Sequence, residues 1–191
     1  MLDDPTIIRY LEENLDEKRL AHSLGTASEA VKLAKRYGAD PEKARVAGLL
    51  HDVAKGKCQY GYKVYADQYD VVLDEIEARN TELIHGKLGA AMVKEQLGID
   101  DEDILSAIRW HTTGRAGMSL LEKVIYLADL IEPGRDFEGI EAIRQFAYQD
   151  IDKAMLIALD QVMCFVHSKG FALHPNSLEA YNYFIIKEEK N

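Results

Sequence analysis

The sequence predicts an all-α fold. Apolar residues recur at helical spacing in every strongly patterned stretch, and helix start and stop residues bracket those stretches. No period-two alternation bounded by hairpin turns occurs anywhere. There is no internal repeat.

Pro5 takes the first helical position after Asp4, and Ile7, Ile8, Leu11 and Leu15 follow as a short amphipathic helix. From Asp16 a second stripe begins with Leu20, Leu24, Ala27, Val31 and Ala34, stopped by Gly38. His22 lies within it, and Gly25 is expected to leave room for another helix. Asp40 and Pro41 supply a cap and a first-turn proline for a helix to about Val53, which carries His51 and Asp52. After Gly56 the pattern weakens: Lys57 to Tyr62 reads as loop, and Asp67 to Glu77 as one or two helical turns. Thr81 to Lys87 leads into a helix with Leu88, Met92, Val93 and Leu97 inward and Gly98 at its end. Asp100 or Asp101 caps the next, whose Ile104, Leu105 and Ile108 precede Trp110, His111 and Thr112, where helix gives way to loop. Ser119 and Glu122 form a capping box before Val124, Ile125, Leu127, Ala128 and Ile131. Asp129 lies inside this apolar segment, which Pro133 and Gly134 close. Ile140 to Tyr148 makes a further helix, and Asp150 caps a long one to about Ser168. Phe171 to Ser177 reads as a turn, and the last helix runs from Ser177 to about Lys187. Lys187 to Lys190 reads as a solvated, frayed end.

A chain of 191 residues without a Pro/Gly/Ser-rich linker is expected to form one compact domain over 1–191. Its 47% hydrophobic and 29% charged residues are those of an ordinary globular protein. No apolar run approaches the ~18 residues that span a bilayer, and Met1 to Pro5 lacks the features of a signal peptide. A cytoplasmic protein with no membrane partner is expected. Cys58 and Cys164 have no Cys-x-x-Cys spacing and are read as reduced, structural thiols. A net charge of -10 argues against a nucleic-acid partner. A polyanionic substrate would have to be captured by metals and a few local cations.

The chemistry concentrates at Gly48 to Lys55, where His51 and Asp52 stand side by side at the end of an apolar run. Neighbours on a helix point about 100° apart, so an ordinary face buries one and exposes the other. A divalent cation bound by both groups reconciles their joint burial. For the dipeptide alone, a histidine favoured at a helix C-terminus beside a solvated aspartate is the ordinary reading. His22, His85, His111 and Asp129 change the balance, because each lies in or beside a helix that can deliver it to the same point. Nitrogen and oxygen donors without thiolates suit iron, manganese, cobalt or zinc. Asp129, an ionisable group among Leu127, Ala128, Leu130 and Ile131, needs a partner in its own right. His167 is assigned to its helix's C-terminal carbonyls. Trp110, Tyr60, Tyr62 and Tyr65 are assigned to packing ahead of base stacking.

The order His, His-Asp, His, His, Asp on successive helices resembles the HD-domain metallophosphohydrolases. Arg19-x-x-His22-Ser23, Gly48 to Gly56, His85-Gly86, Arg109 to Gly114 and Tyr126 to Arg135 resemble, more closely, the bacterial symmetrical bis(5'-nucleosyl)-tetraphosphatases, the YqeK family. The resemblance covers most of the chain and implies an HD-domain helical bundle with its metal site between central helices. It further implies an iron ion on His22, His51, Asp52 and Asp129. Nucleotide or phosphate contacts are implied for Arg19, Lys55, His85, His111, Thr112, Arg135 and the turn Ala172, Leu173, His174, Pro175, Asn176 and Ser177. His22 and Asp129 would then also lie against the nucleotide. Without the resemblance, His174 is simply a turn residue before Pro175.

The implied reaction is hydrolysis of diadenosine tetraphosphate to two ADP, with Lys55, His85 and His111 as catalytic candidates. Lys55 can meet a phosphate as a point charge, whereas Arg19 and Arg135 can fork onto its oxygens. His85 and His111 either hold a second ion or donate hydrogen bonds to phosphate and leaving group. Competing readings are another HD hydrolase acting on nucleotides, an inactive metal-bearing nucleotide sensor, and a di-iron oxygenase. The guanosine-tetraphosphate hydrolases place two acidic residues after their His-Asp pair, where this chain has Ala54 and Lys55. A homodimer would need an apolar outer helix face, which sequence cannot distinguish from an inner one.

Overall fold

The computed structural model describes residues 4–58 and 61–189, and among them there are helices and short 3-10 turns but no strand. The all-α expectation holds. In chain order the helices are α1 (Asp4–Asn14), α2 (Glu17–Tyr37), α3 (Pro41–Leu50), α4 (Lys55–Cys58), α5 (Tyr62–Gln68) and α6 (His85–Leu97). They continue with α7 (Glu102–Trp110), α8 (Leu120–Ile131), α9 (Ile140–Ala147), α10 (Ile151–Ser168) and α11 (Pro175–Glu188). No described helix is long and apolar enough to cross a membrane.

Most helix starts follow from their caps. Asp16, Asp40, Asp101 and Asp150 each accept from backbone amides two or three residues on, which satisfies donors the first turn leaves free. Ser119 and Glu122 form the reciprocal capping box at α8. Gly38 (φ 79°) and Gly98 (φ 63°) end α2 and α6 in the left-handed conformation.

Helix α8 forms the centre, with Val124, Ile125, Leu127 and Ala128 fully buried. It packs against α2, α3, α7, α9 and α10, while α2 lies across α3 and α6 across α7. Glycines permit two of the close backbone approaches. A Cβ on Gly48 would lie 2.8 Å from the Ala27 Cα, and one on Gly86 would lie 2.6 Å from the Arg109 carbonyl oxygen. The helices that bear the candidate ligands therefore meet backbone to backbone.

Several local expectations change. In α2 the buried face is Ser23, Thr26, Ala27, Ala30, Leu33 and Ala34, whereas Leu24 is 46% exposed and Leu20 and Val31 are half-buried. Close packing against α3 selects small residues there, and the stripe is rotated from the most hydrophobic line. Gly25 accommodates the Glu132 carboxylate and not a helix: a Cβ at this position would lie 2.6 Å from Glu132 Oε2. Helix α3 stops at Leu50, so His51 and Asp52 open the turn that follows. Lys57, Cys58 and Tyr62 are helical where loop was expected, inside α4 and at the start of α5. Of the helical turns expected over Asp67 to Glu77, Asp67 and Gln68 end α5 and Glu77 opens a 3-10 turn, while residues 69–76 are not helical. Pro175, Asn176 and Ser177 belong to α11, which begins two residues early because His174 caps it. Cys164 is a free, exposed thiol and not a buried structural one. Met1 to Asp3, Gln59, Tyr60 and Lys190 lie outside the described residues.

Candidate metal centre

Five helix segments deliver the cluster. His22 comes from α2, His51 and Asp52 follow α3, His85 opens α6, His111 ends α7, and Asp129 lies in α8. His22 Nε2 is 3.2 Å from His51 Nε2 and 2.9 Å from Asp129 Oδ1. Asp129 Oδ1 is also 3.7 Å from His51 Nε2. Asp52 reaches the same point, with Oδ1 3.8 Å from His51 Nε2 and Oδ2 4.0 Å from His22 Nε2. On its other side Asp52 Oδ1 stands 3.2 Å from His85 Nε2 and 3.4 Å from His111 Nε2. His51, Asp52, His85 and His111 are all buried.

The cluster sets two ionised carboxylates against buried imidazoles. Burial alone would raise Asp52, but the adjacent His51 charge and bonds from His111 and His85 hold it well below the usual carboxylate range. Burial likewise opposes ionisation of Asp129, and bonds from His22 and His51 outweigh it. His51 moves the other way: burial lowers it, yet Asp52 and Asp129 together raise it. Carboxylates held ionised against two converging imidazole nitrogens are a donor set that a divalent cation satisfies. His22, His51 and Asp129 place their donor atoms within 4.8 Å of one another, and so do His51, Asp52 and His111. His85 differs, because burial first and the Lys55 charge second push it down to about 4.

Cations ring the site. Arg135 Nη2 lies 2.5 Å from Asp129 Oδ1 and 3.5 Å from His22 Nε2. Arg19 Nη1 lies 3.7 Å from Asp52 Oδ2. Lys55 Nζ pairs with Glu82 Oε2 at 2.9 Å. Arg19, His22, Asp52, Lys55 and Arg135 all line one open cleft of ≈ 1230 Å³. Thr112 Oγ1 is 3.1 Å from His85 Nε2.

The turn at 172–177 does not line this cleft. Ser177 Oγ donates to the Thr113 carbonyl at 2.9 Å, which fixes the start of α11 beside Thr112. His174 accepts from the Asn176 amide through Nδ1 at 3.1 Å and places Nε2 2.8 Å from Asp74 Oδ2. Both its ring nitrogens thus hold the helix start and the 71–80 segment together. Asp74, Glu77 and His174 also come close enough to hold an ion, but Lys87 Nζ already meets Glu77 Oε2 at 2.7 Å.

Two acidic residues stand at the site that sequence reasoning did not single out. Glu132 is buried, with Oε1 3.0 Å from His22 Nδ1 and Oε2 accepting from the Gly134 amide at 2.6 Å. Its signal was a carboxylate between a helix end and Pro-Gly, with glycines at 25 and 134 whose missing side chains make its cradle. Glu82 has no such signal, since it stands in a weakly patterned stretch.

Four histidines and two aspartates converging between helices define an HD-type metal-dependent hydrolase, and the HD domain family pattern matches residues 19–134. Two curated proteins named symmetrical bis(5'-nucleosyl)-tetraphosphatase are each 38% identical to this chain. The one from Halalkalibacterium halodurans aligns over 95% of this chain and 97% of its own length. The one from Bacillus subtilis aligns over 92% and 94%. A crystal structure described as a predicted HD superfamily hydrolase involved in NAD metabolism, from Clostridium acetobutylicum, is 48% identical. It superposes with a TM-score of 0.92 over 98% of this chain and 99% of that one. The chain belongs to the HD-domain family and, within it, to the symmetrical bis(5'-nucleosyl)-tetraphosphatases.

Proposed function

We propose that this protein hydrolyses diadenosine tetraphosphate at its central bridge, giving two ADP, with one iron ion held by His22, His51, Asp52 and Asp129. The observation that carries the reading is the convergence of those four donors, of which His22 and Asp52 open onto the cleft that Arg19, Lys55 and Arg135 also line. The full-length likeness to the relatives above supplies the substrate class. When bound, a divalent ion supplies a Lewis acid and lowers the pKa of water to near neutrality.

The chain's own groups do the rest. Arg19 and Arg135 fork onto phosphate oxygens and Lys55 adds a point charge, so the tetraphosphate is held against an overall acidic protein. Water adds to one of the two central phosphorus atoms. The bridging P–O bond breaks, its electron pair leaves with the second ADP, and the water proton is released. Thr112 places its hydroxyl 3.1 Å from His85 Nε2, deeper in the cluster. A cytoplasmic setting and a dinucleoside polyphosphate ligand belong to the same proposal.

Anaerobic incubation with ferrous ion and diadenosine tetraphosphate, followed by nucleotide separation, tests it. Two ADP per substrate is the expected result. ATP plus AMP would overturn symmetrical cleavage, and the absence of turnover with ferrous, manganese or cobalt ion would overturn the hydrolase reading.

A further inference from the structure

At ≈ 1230 Å³ the cleft exceeds the roughly 300–1,000 Å³ of an ordinary small-molecule pocket, and it has two chemically different walls. The cations that line it, Lys18, Arg19, Lys55 and Arg135, belong to α2, to the start of α4 and to the loop after α8. Arg19 stands against Asp52 and Arg135 against Asp129, so this wall is the phosphate end.

The other wall is α10. It contributes Ala158, Gln161, Val162 and Phe165, at i, i+3, i+4 and i+7, which together make one uncharged helix face. Gln161 Nε2 donates to the Glu138 carbonyl at 2.8 Å, which ties that face to the loop bearing Arg135. Leu130 and Phe137 line the same cleft. Phe165 is 58% exposed, a large ring that the core does not use. Lys169 Nζ lies 5.5 Å over this ring but does not line the cleft. A phosphate gains nothing from such a wall, whereas a purine gains an aromatic platform and apolar flanks.

A dinucleotide cleaved at its central bridge leads its two nucleosides away from the metal in different directions, and the α10 wall opens from the phosphate end in one of them. We propose that this arm of the cleft is the subsite for one of the two nucleosides, whose base stacks on Phe165. Phe165 thereby makes the chain select a nucleoside on that side and not the phosphates alone. The occupant rests on the proposed function, whereas the two-walled cleft does not.

The test uses the whole chain labelled with 4-fluorophenylalanine and loaded with zinc. Its five phenylalanines give ¹⁹F resonances that single Phe→Leu variants assign. ADP should move the Phe165 resonance, and inorganic tripolyphosphate should leave it in place. Phe165→Ala should raise KM for diadenosine tetraphosphate about tenfold, the scale of one base on one ring, with kcat within twofold, and Phe165→Tyr should retain the wild-type KM. No movement with saturating ADP, an equal movement with tripolyphosphate, or an unchanged KM in Phe165→Ala would overturn the subsite. Movement on dilution of the protein alone would also overturn it, by assigning the ring to contact between copies of the chain. Movement with ADP in a protein that leaves diadenosine tetraphosphate intact would overturn the hydrolase reading and keep the subsite.

Discussion

Glu132 Oε1 lies 3.0 Å from His22 Nδ1, and a Cβ at position 25 or 134 would press on that carboxylate from 2.6 Å or 2.9 Å. A carboxylate on the outer nitrogen of a ligating histidine fixes the ring's orientation and raises its basicity toward the ion. Glu132→Ala is therefore expected to weaken metal binding by roughly 10–100-fold, with the helices retained. Gly25→Ala should reproduce the defect from a different helix, because its Cβ would fall 2.6 Å from Glu132 Oε2. Isothermal titration of the stripped protein with zinc checks both. Unchanged affinity in the two variants would show that His22 needs no such support.

Gly86→Ala separates packing from chemistry. Alanine favours a helix over glycine by about 1 kcal/mol, but here its Cβ would sit 2.6 Å from the Arg109 carbonyl oxygen, a backbone atom that cannot swing aside. Overpacking of this kind costs about 1–3 kcal/mol, so the clash outweighs the propensity. Thermal unfolding should show net destabilisation. Activity should fall further than the folded fraction, since α6 and α7 carry His85 and His111. A stabilised variant of full activity would contradict the tight approach of these helices.

How much of this was legible follows from which signals are local. Capping is a matter of neighbours, so Asp16, Asp40, Asp101, Ser119 and Asp150 could be read without coordinates, and the helices they open are present. His51, Asp52 and Asp129 could be suspected because polar groups in apolar runs need partners. The inward face of α2 could not, because it is chosen by backbone approach to α3, where Ala27 and Gly48 count for more than Leu24. Glu132 was hidden for the same reason: its partner His22 is 110 residues away. The 56–80 stretch lacks helical periodicity, and its short helices are held by contacts such as Tyr62 Oη donating to the Ala78 carbonyl.

Lys55 is held by Glu82 at 2.9 Å, a pairing that a bound phosphate would have to displace. Glu82 is largely exposed, and such pairs are worth ~0.2–1 kcal/mol. Releasing the lysine in Glu82→Gln should thus lower KM for the dinucleotide by about fivefold at most, with kcat unchanged. Lys55→Ala should raise KM. Steady-state kinetics of the two variants decide it, and a raised KM in Glu82→Gln would assign Glu82 to substrate binding instead.

Asp152 ties three helices together, taking Lys123 Nζ from α8 at 2.8 Å and Lys187 Nζ from α11 at 2.6 Å. Burial would raise its pKa, but the two lysines outweigh burial and hold it below the ordinary value. The folded state therefore binds this proton less readily than the unfolded chain does. The stabilisation is complete above the unfolded carboxylate value of about 3.9 and disappears as pH falls through the lower folded value. Asp152→Asn should cost about 1 kcal/mol near pH 7, the scale of a partly exposed charged hydrogen-bond pair. Urea midpoints measured from pH 7 to pH 3 should show that gap constant down to about pH 5 and closing below it. A gap still undiminished at pH 3 would mean that asparagine disturbs packing, because the charge contribution must already have begun to fall below the unfolded carboxylate value.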